Sequence, residues 1–125
     1  MELLVLKNEF SVCQVEDYSQ VDFEREYIFT AQTTDEKSLL CRIKDIPKNV
    51  IQKEKGWRGL KIEGVLDFSL KGILYRISKI LYDENIGIFV VSTYNTDYIF
   101  VKEEDLELAV LSLEKGQYKI KRECG

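Results

Sequence analysis

From Gly59 onward the spacing of apolar positions switches between the period of a strand and that of a helix. In GLKIEGVL (Gly59–Leu66), Leu60, Ile62 and Gly64 alternate with Lys61 and Glu63, which predicts a half-buried strand. Leu70, Ile73, Leu74, Ile77, Ile80 and Leu81 then fall on one helical stripe. Asp67 or Ser69 can cap its start, and DENIG (Asp83–Gly87) supplies its stop. IFVVST (Ile88–Thr93) is an almost unbroken apolar run, as in a strand covered on at least one face. Tyr94–Asp97 reads as a turn and Tyr98–Val101 as the returning strand. In EEDLELAVLSLEKG an acidic first turn suits the positive end of a helix dipole, and Leu106, Ala109, Val110 and Leu113 make the apolar face. Gly116 ends that helix, and QYKIKRE alternates again as a closing strand. The order β-α-β-β-α-β predicts an α+β fold, the ferredoxin-like sandwich with both helices on one face of an antiparallel sheet.

The first half reads as a shortened copy of the second. Moved sixty positions without gaps, FTAQTTDEKSLLCRIKDI lies over FVVSTYNTDYIFVKEEDL, with Phe29 on Phe89, Thr33 on Thr93, Leu39 on Ile99, Arg42 on Lys102 and Asp45 on Asp105. Further upstream the offset becomes fifty, laying FSVCQV over LKIEGV. EDYSQVDFERE leaves room only for a short first helix, and Pro47 cuts off the second. This predicts a tandem pseudo-repeat: a degenerate unit over 1–55 and a complete one over 56–125, joined through QKEKGWRG (Gln52–Gly59).

Composition narrows the chemistry. The chain has 125 residues, 45% hydrophobic and 32% charged, which is ordinary for a globular domain. A net charge of −4 and a pI near 5.0 argue against nucleic acid as the main partner, because such binding needs a basic face. The same strand and helix order occurs in RNA-binding modules, but VVSTYNTDYIFV lacks their aromatic signature. The complete absence of histidine removes His-dependent triads and imidazole metal sites. Three scattered cysteines (Cys13, Cys41, Cys124) form no CxxC and read as buried reduced thiols. Carboxylates are plentiful, yet no spacing singles out an acid and base pair, so no catalytic residue, metal or cofactor is expected. MELLVLKNEF lacks the features of a signal peptide and no segment is long and apolar enough to span a membrane, so a cytoplasmic location is expected.

Two stretches are candidates for binding. EGVLDFSLKG (Glu63–Gly72) is a strand-to-helix turn whose free amides could hold an anion, or a tight turn whose glycines serve packing. Ser92, Thr93 and Asp97 stand at the end of the next strand, where Asp97 could take an ammonium or guanidinium group. By residue type alone that stretch reads first as an ordinary turn. Trp57 and Arg58 read as packing at the joint.

The openings WRGLKIEGVLDFS and STYNTDYIFVKEEDL resemble the small bacterial ACT-domain proteins of the subgroup related to the CASTOR arginine sensors of animals. That resemblance implies a regulatory module that binds an amino acid where two ACT units meet. Carried over by motif, the ligand-binding positions are Asp67, Phe68, Ser69, Gly72 and Ile73, then Ser92, Thr93, Tyr94 and Asp97. The animal sensors hold four units in one chain where this one carries about two, which implies a homodimer here. The sensors' arginine is not carried over. The expectations are a small-molecule ligand, an unidentified regulated partner protein, and neither nucleic acid nor membrane. A different class of function on the same fold is a protein-pairing scaffold without a ligand.

Overall fold

β1 (Glu2–Val15) and β4 (Val50–Glu63) are strands of fourteen residues each. The computed structural model describes residues 1–63 and 72–124. Its chain forms two compact units, Met1–Lys7 with Arg58–Gly125, and Asn8–Trp57. The chain passes from one unit to the other between Lys7 and Asn8 and between Trp57 and Arg58. QKEKGWRG is no loop. It lies within β4, with Gly56 at a φ of 92° that favours glycine.

In the larger unit, β4 is followed by helix α1 (Ile73–Asp83), strands β5 (Ile88–Ser92) and β6 (Asp97–Lys102), helix α2 (Leu106–Lys115) and strand β7 (Lys119–Arg122). This is the β-α-β-β-α-β order that the periodicity predicts. Ile73, Ile77 and Leu81 of α1 join Leu106, Ala109, Val110 and Leu113 of α2 in one core over Leu60, Ile62, Ile99 and Val101 of the sheet. The helices therefore cover a single face. The closing strand differs from the simplest expectation, since β7 pairs with β1, in parallel, from Glu2↔Lys119 to Val5↔Arg122. The N-terminal segment earns that place by alternation: Leu3 and Val5 are buried in the same core, while Glu2 reaches Lys121 (3.2 Å) and Lys119 (3.5 Å).

The opposite face is packed closely as well. A Cβ on Gly59 would stand 2.9 Å from Phe100 Cε1 and 3.2 Å from Leu6 Cδ1, both of them fully buried residues. Gly59→Ala is accordingly expected to cost about 1–3 kcal/mol by overpacking. A urea titration should show it as a lower midpoint with an unchanged slope.

In the smaller unit, strands β2 (Phe29–Gln32) and β3 (Lys37–Arg42) form a hairpin whose inner strand pairs with β1, from Phe10↔Arg42 to Gln14↔Ser38. No helix forms over EDYSQVDFERE. Asp17 Oδ1 accepts the Ser19 amide and Asp22 Oδ1 the Glu24 amide, both at 3.0 Å, and such local bonds compete with helix. Tyr18, Val21 and Ile28 from this loop cover Cys13, Val15, Leu39 and Cys41 instead. The second helix is reduced to a 3-10 turn, Ile43–Asp45, because Ile46 is extended (φ −61°, ψ 122°), as a residue before proline must be. Cys13 and Cys41 are buried, and Cys13 Sγ donates to Ser11 Oγ at 3.4 Å. Cys124 departs from the expectation and is exposed.

The offset of sixty is kept residue for residue in the two hairpins. Phe29↔Leu40 through Gln32↔Lys37 matches Phe89↔Phe100 through Ser92↔Asp97. Thr33 donates its amide to Glu36 O at 2.9 Å, and Thr93 to Thr96 O at 2.8 Å. Each inner strand then runs into a 3-10 turn, Ile43–Asp45 or Glu103–Asp105. The offset of fifty fails upstream. It lays Phe10 and Val12 on Leu60 and Ile62, which belong to the helix-covered core, whereas the covered residues of β1 here are Cys13 and Val15. Equivalent faces need an odd offset, because a slip of one residue turns every side chain of a strand to the other side.

Candidate functional site

The stretch Ser92–Asp97 joins β5 to β6, and its conformation follows from two threonines. Thr93 Oγ1 accepts the Thr96 amide at 3.3 Å and donates to Thr96 O at 3.1 Å, so one hydroxyl closes the turn from inside. Thr96 Oγ1 donates to Ile62 O at 2.6 Å, and Thr96 is 5% exposed. Ile62 is the next-to-last residue of β4. The turn is thereby fixed to the end of the strand that leads into residues 64–71.

Around this anchor the polar groups are presented outward. Ser92, Thr93, Tyr94 and Asn95 are exposed, Tyr94 fully so, and Asp97 is half-buried opposite Ser92. Asp97 carries the one formal charge between Ser92 and Asp97. The nearest charges along β4 already answer each other, Lys61 to Glu63 at 3.8 Å. A half-buried carboxylate opposite an exposed serine can take a small cationic group with directional hydrogen bonds.

The other expected positions divide. Gly72 is exposed and precedes α1 with a φ of 86°, a conformation that favours glycine, and its carbonyl accepts the Arg76 amide at 2.9 Å. Ile73 is 5% exposed within the helix-covered core that also holds Ile62, so its side chain is committed to packing. Asp67, Phe68 and Ser69 lie outside the described residues. The turn and the start of α1 therefore share one core through Ile62 and Ile73, with Ser92, Thr93, Tyr94 and Asp97 together on the anchored turn.

Thr96 is the residue that sequence reading missed. By sequence it is one residue of a turn, where a threonine is ordinary. At the offset of sixty Thr96 falls on Glu36, a change from a charged to a small hydroxyl residue in turns that share Thr33 and Thr93. Among the described residues no group of three or more metal-ligating side chains converges, and no helix is long and apolar enough to cross a membrane.

A family model described as "ACT domain" matches residues 52–115. By structure, the chain is similar to a crystallised protein of Agobacterium tumefaciens, at 27% identity over 99% of this chain and 94% of that one, with a TM-score of 0.88. It is similar to a Vibrio cholerae protein described as of unknown function and a possible transport protein, at 16% identity over 91% and 88%, TM-score 0.74. The regulatory subunit of aspartate kinase from Thermus thermophilus shares the fold at 7% identity over 92% and 96%, TM-score 0.61. No curated protein matches the sequence.

Proposed function

The chain belongs to the ACT-domain family, and from that premise we propose that it is a non-catalytic cytoplasmic regulatory module that binds an amino acid or a similar small metabolite. The observation that carries this reading is the anchored turn, where the half-buried Asp97 carboxylate stands beside the exposed Ser92 and Thr93 hydroxyls. Asp97 takes the ligand's ammonium group or a cationic side chain, the Ser92 hydroxyl and Tyr94 supply neutral hydrogen bonds, and Thr93 Oγ1, whose hydrogen is given to Thr96 O, has one acceptor position left. Gly72 leaves room for close approach at the start of α1. The resemblance to the subgroup of the CASTOR sensors extends the proposal to a homodimer of tandem ACT chains, with the ligand held where units of two chains meet. Binding shifts the equilibrium of an unidentified partner protein by its differential affinity for two states.

The test is thermal unfolding with each proteinogenic amino acid in turn. A ligand at a hundredfold excess over its Kd stabilises the native state by about 2.7 kcal/mol, which a chain of this size shows as several degrees. Asp97→Ala is expected to weaken the effective amino acid by about tenfold or more, the loss of one charge-assisted hydrogen bond. An affinity unchanged by that substitution removes Asp97 from the site.

A scaffold reading has one observation of its own. Tyr75 and Tyr82 on α1 are 69% and 79% exposed, and Leu108 and Leu111 on α2 are exposed too. Large apolar side chains left in water on both helices suit a protein partner. This reading predicts association that no amino acid alters.

A further inference from the structure

The two hairpins agree in register and in the bonds that close their turns, yet they differ in what holds each turn to the rest of its unit. In the second hairpin the Thr96 hydroxyl is buried and bonded to Ile62 O at 2.6 Å. In the first, the same place is taken by Glu36, which is exposed and whose carboxylate accepts the hydroxyl of its own neighbour Ser38 at 2.8 Å. Among the described residues the turn closed by Thr33 is bonded only within its own hairpin; the turn closed by Thr93 is tied to a further strand, β4.

We propose that Thr96 is the positioning residue of the ligand site, and that the anchored second turn binds the ligand while the matching first turn does not. The inference rests on the amino-acid-binding reading above. A ligand held by a few hydrogen bonds gains affinity when its contacts are fixed beforehand, because less ordering remains to be done on binding. The Thr96–Ile62 bond does this for Thr93 and Asp97, which flank Thr96 within three residues. Thr96 itself is buried and touches no ligand; it acts through the turn. The first hairpin has a concavity of about 420 Å³ beside it, lined in part by Gln14, Glu36, Ser38 and Lys53. Its wall at the turn is the unanchored Glu36 segment, so the space lacks a prefixed partner of the kind Asp97 and Thr93 provide. The near-symmetry of the chain would suggest two equal sites, and that equality is broken twice: Lys37 stands where the second hairpin has Asp97, and Glu36 stands where it has the buried Thr96 hydroxyl. One ligand per chain is the consequence.

Three measurements on the full chain test this. Thr96→Val keeps the shape and removes the hydroxyl, and Thr96→Ser keeps the hydroxyl. Without any ligand, amide exchange at Thr93 should be about tenfold faster in Thr96→Val and near the native rate in Thr96→Ser, with exchange at Thr33 unchanged in both. The amino acid identified by thermal shift should bind Thr96→Val about tenfold more weakly, while Thr96→Ser restores most of the affinity. Calorimetric titration should give one site per chain. Native exchange at Thr93 in Thr96→Val overturns the anchoring. Faster exchange with undiminished affinity overturns the positioning role, and two sites per chain overturns the asymmetry. A native protein that no amino acid stabilises refutes the binding reading beneath it, and that result is known before any variant is made.

Discussion

Phe100→Ala is expected to destabilise the larger unit by about 3–5 kcal/mol, the range for removing a large aromatic side chain from a core. Phe100 is wholly buried, lies stacked on Phe89 with ring centroids 4.9 Å apart and an interplanar angle of 13°, and fills the space that Gly59 leaves open. The substitution removes the transfer free energy of the ring and leaves a cavity that Leu6 and Phe89 can only partly close, because both are held on paired strands. Loss of the stacked pair adds about 0.5–1.5 kcal/mol to the area effect. For a chain of this length the melting temperature should fall by about 10–20 °C. Phe100→Leu, which is the residue present at the corresponding Leu40 of the first hairpin, should cost less than half as much. A fall of only a degree or two in Phe100→Ala would mean that the face opposite the helices is loosely packed. Because β6 carries both Phe100 and Asp97, the same variant is expected to weaken ligand binding through stability rather than contact. Excess ligand should recover part of the lost melting temperature.

Particular residues explain what could be read in advance. Both helices of the larger unit were legible because Ile73, Ile77 and Leu81, and Leu106, Ala109, Val110 and Leu113, repeat at helical spacing and bury the same faces in the structure. The hairpins were legible through their offset of sixty, which the register reproduces pair by pair. The place of Leu3 and Val5 was not, since an apolar alternation at the N-terminus does not say which distant strand completes it. The loop over residues 16–28 escaped for a different reason. Its apolar Tyr18, Val21 and Ile28 have the burial of a helix face, but Asp17 and Asp22 turn the backbone into local bonds. At the candidate site, Asp97 and the hydroxyls of Ser92 and Thr93 could be named from residue type and motif. Thr96 could not, because its value lies in reaching a carbonyl 34 residues away, a contact that exists only once β4 and β6 are neighbours.

The second large effect is expected at Asp45. Its carboxylate is 7% exposed and accepts Arg42 Nε at 3.0 Å and Arg25 Nε at 2.9 Å; the Arg42 side chain is 9% exposed and that of Arg25 42%. Asp45→Ala leaves the Arg42 guanidinium in a site built for a pair, and breaking such a pair from one side costs about 3–5 kcal/mol. It also releases Arg25, the point where the loop over Cys13 and Cys41 is held to the 3-10 turn. Arg25→Ala removes the exposed partner alone and should cost about 1 kcal/mol or less. Replacing both buried members together, Arg42→Met with Asp45→Leu, should recover much of the loss, because the charge that Asp45→Ala strands is then absent. Urea unfolding of these variants, followed by the fluorescence of Trp57 in the same unit, reads all of them on one scale. If Asp45→Ala costs no more than Arg25→Ala, water reaches Arg42 and the pair contributes to register rather than to stability. If the double replacement is as unstable as Asp45→Ala, the loss belongs to packing of the 3-10 turn, and the charge has no part in it.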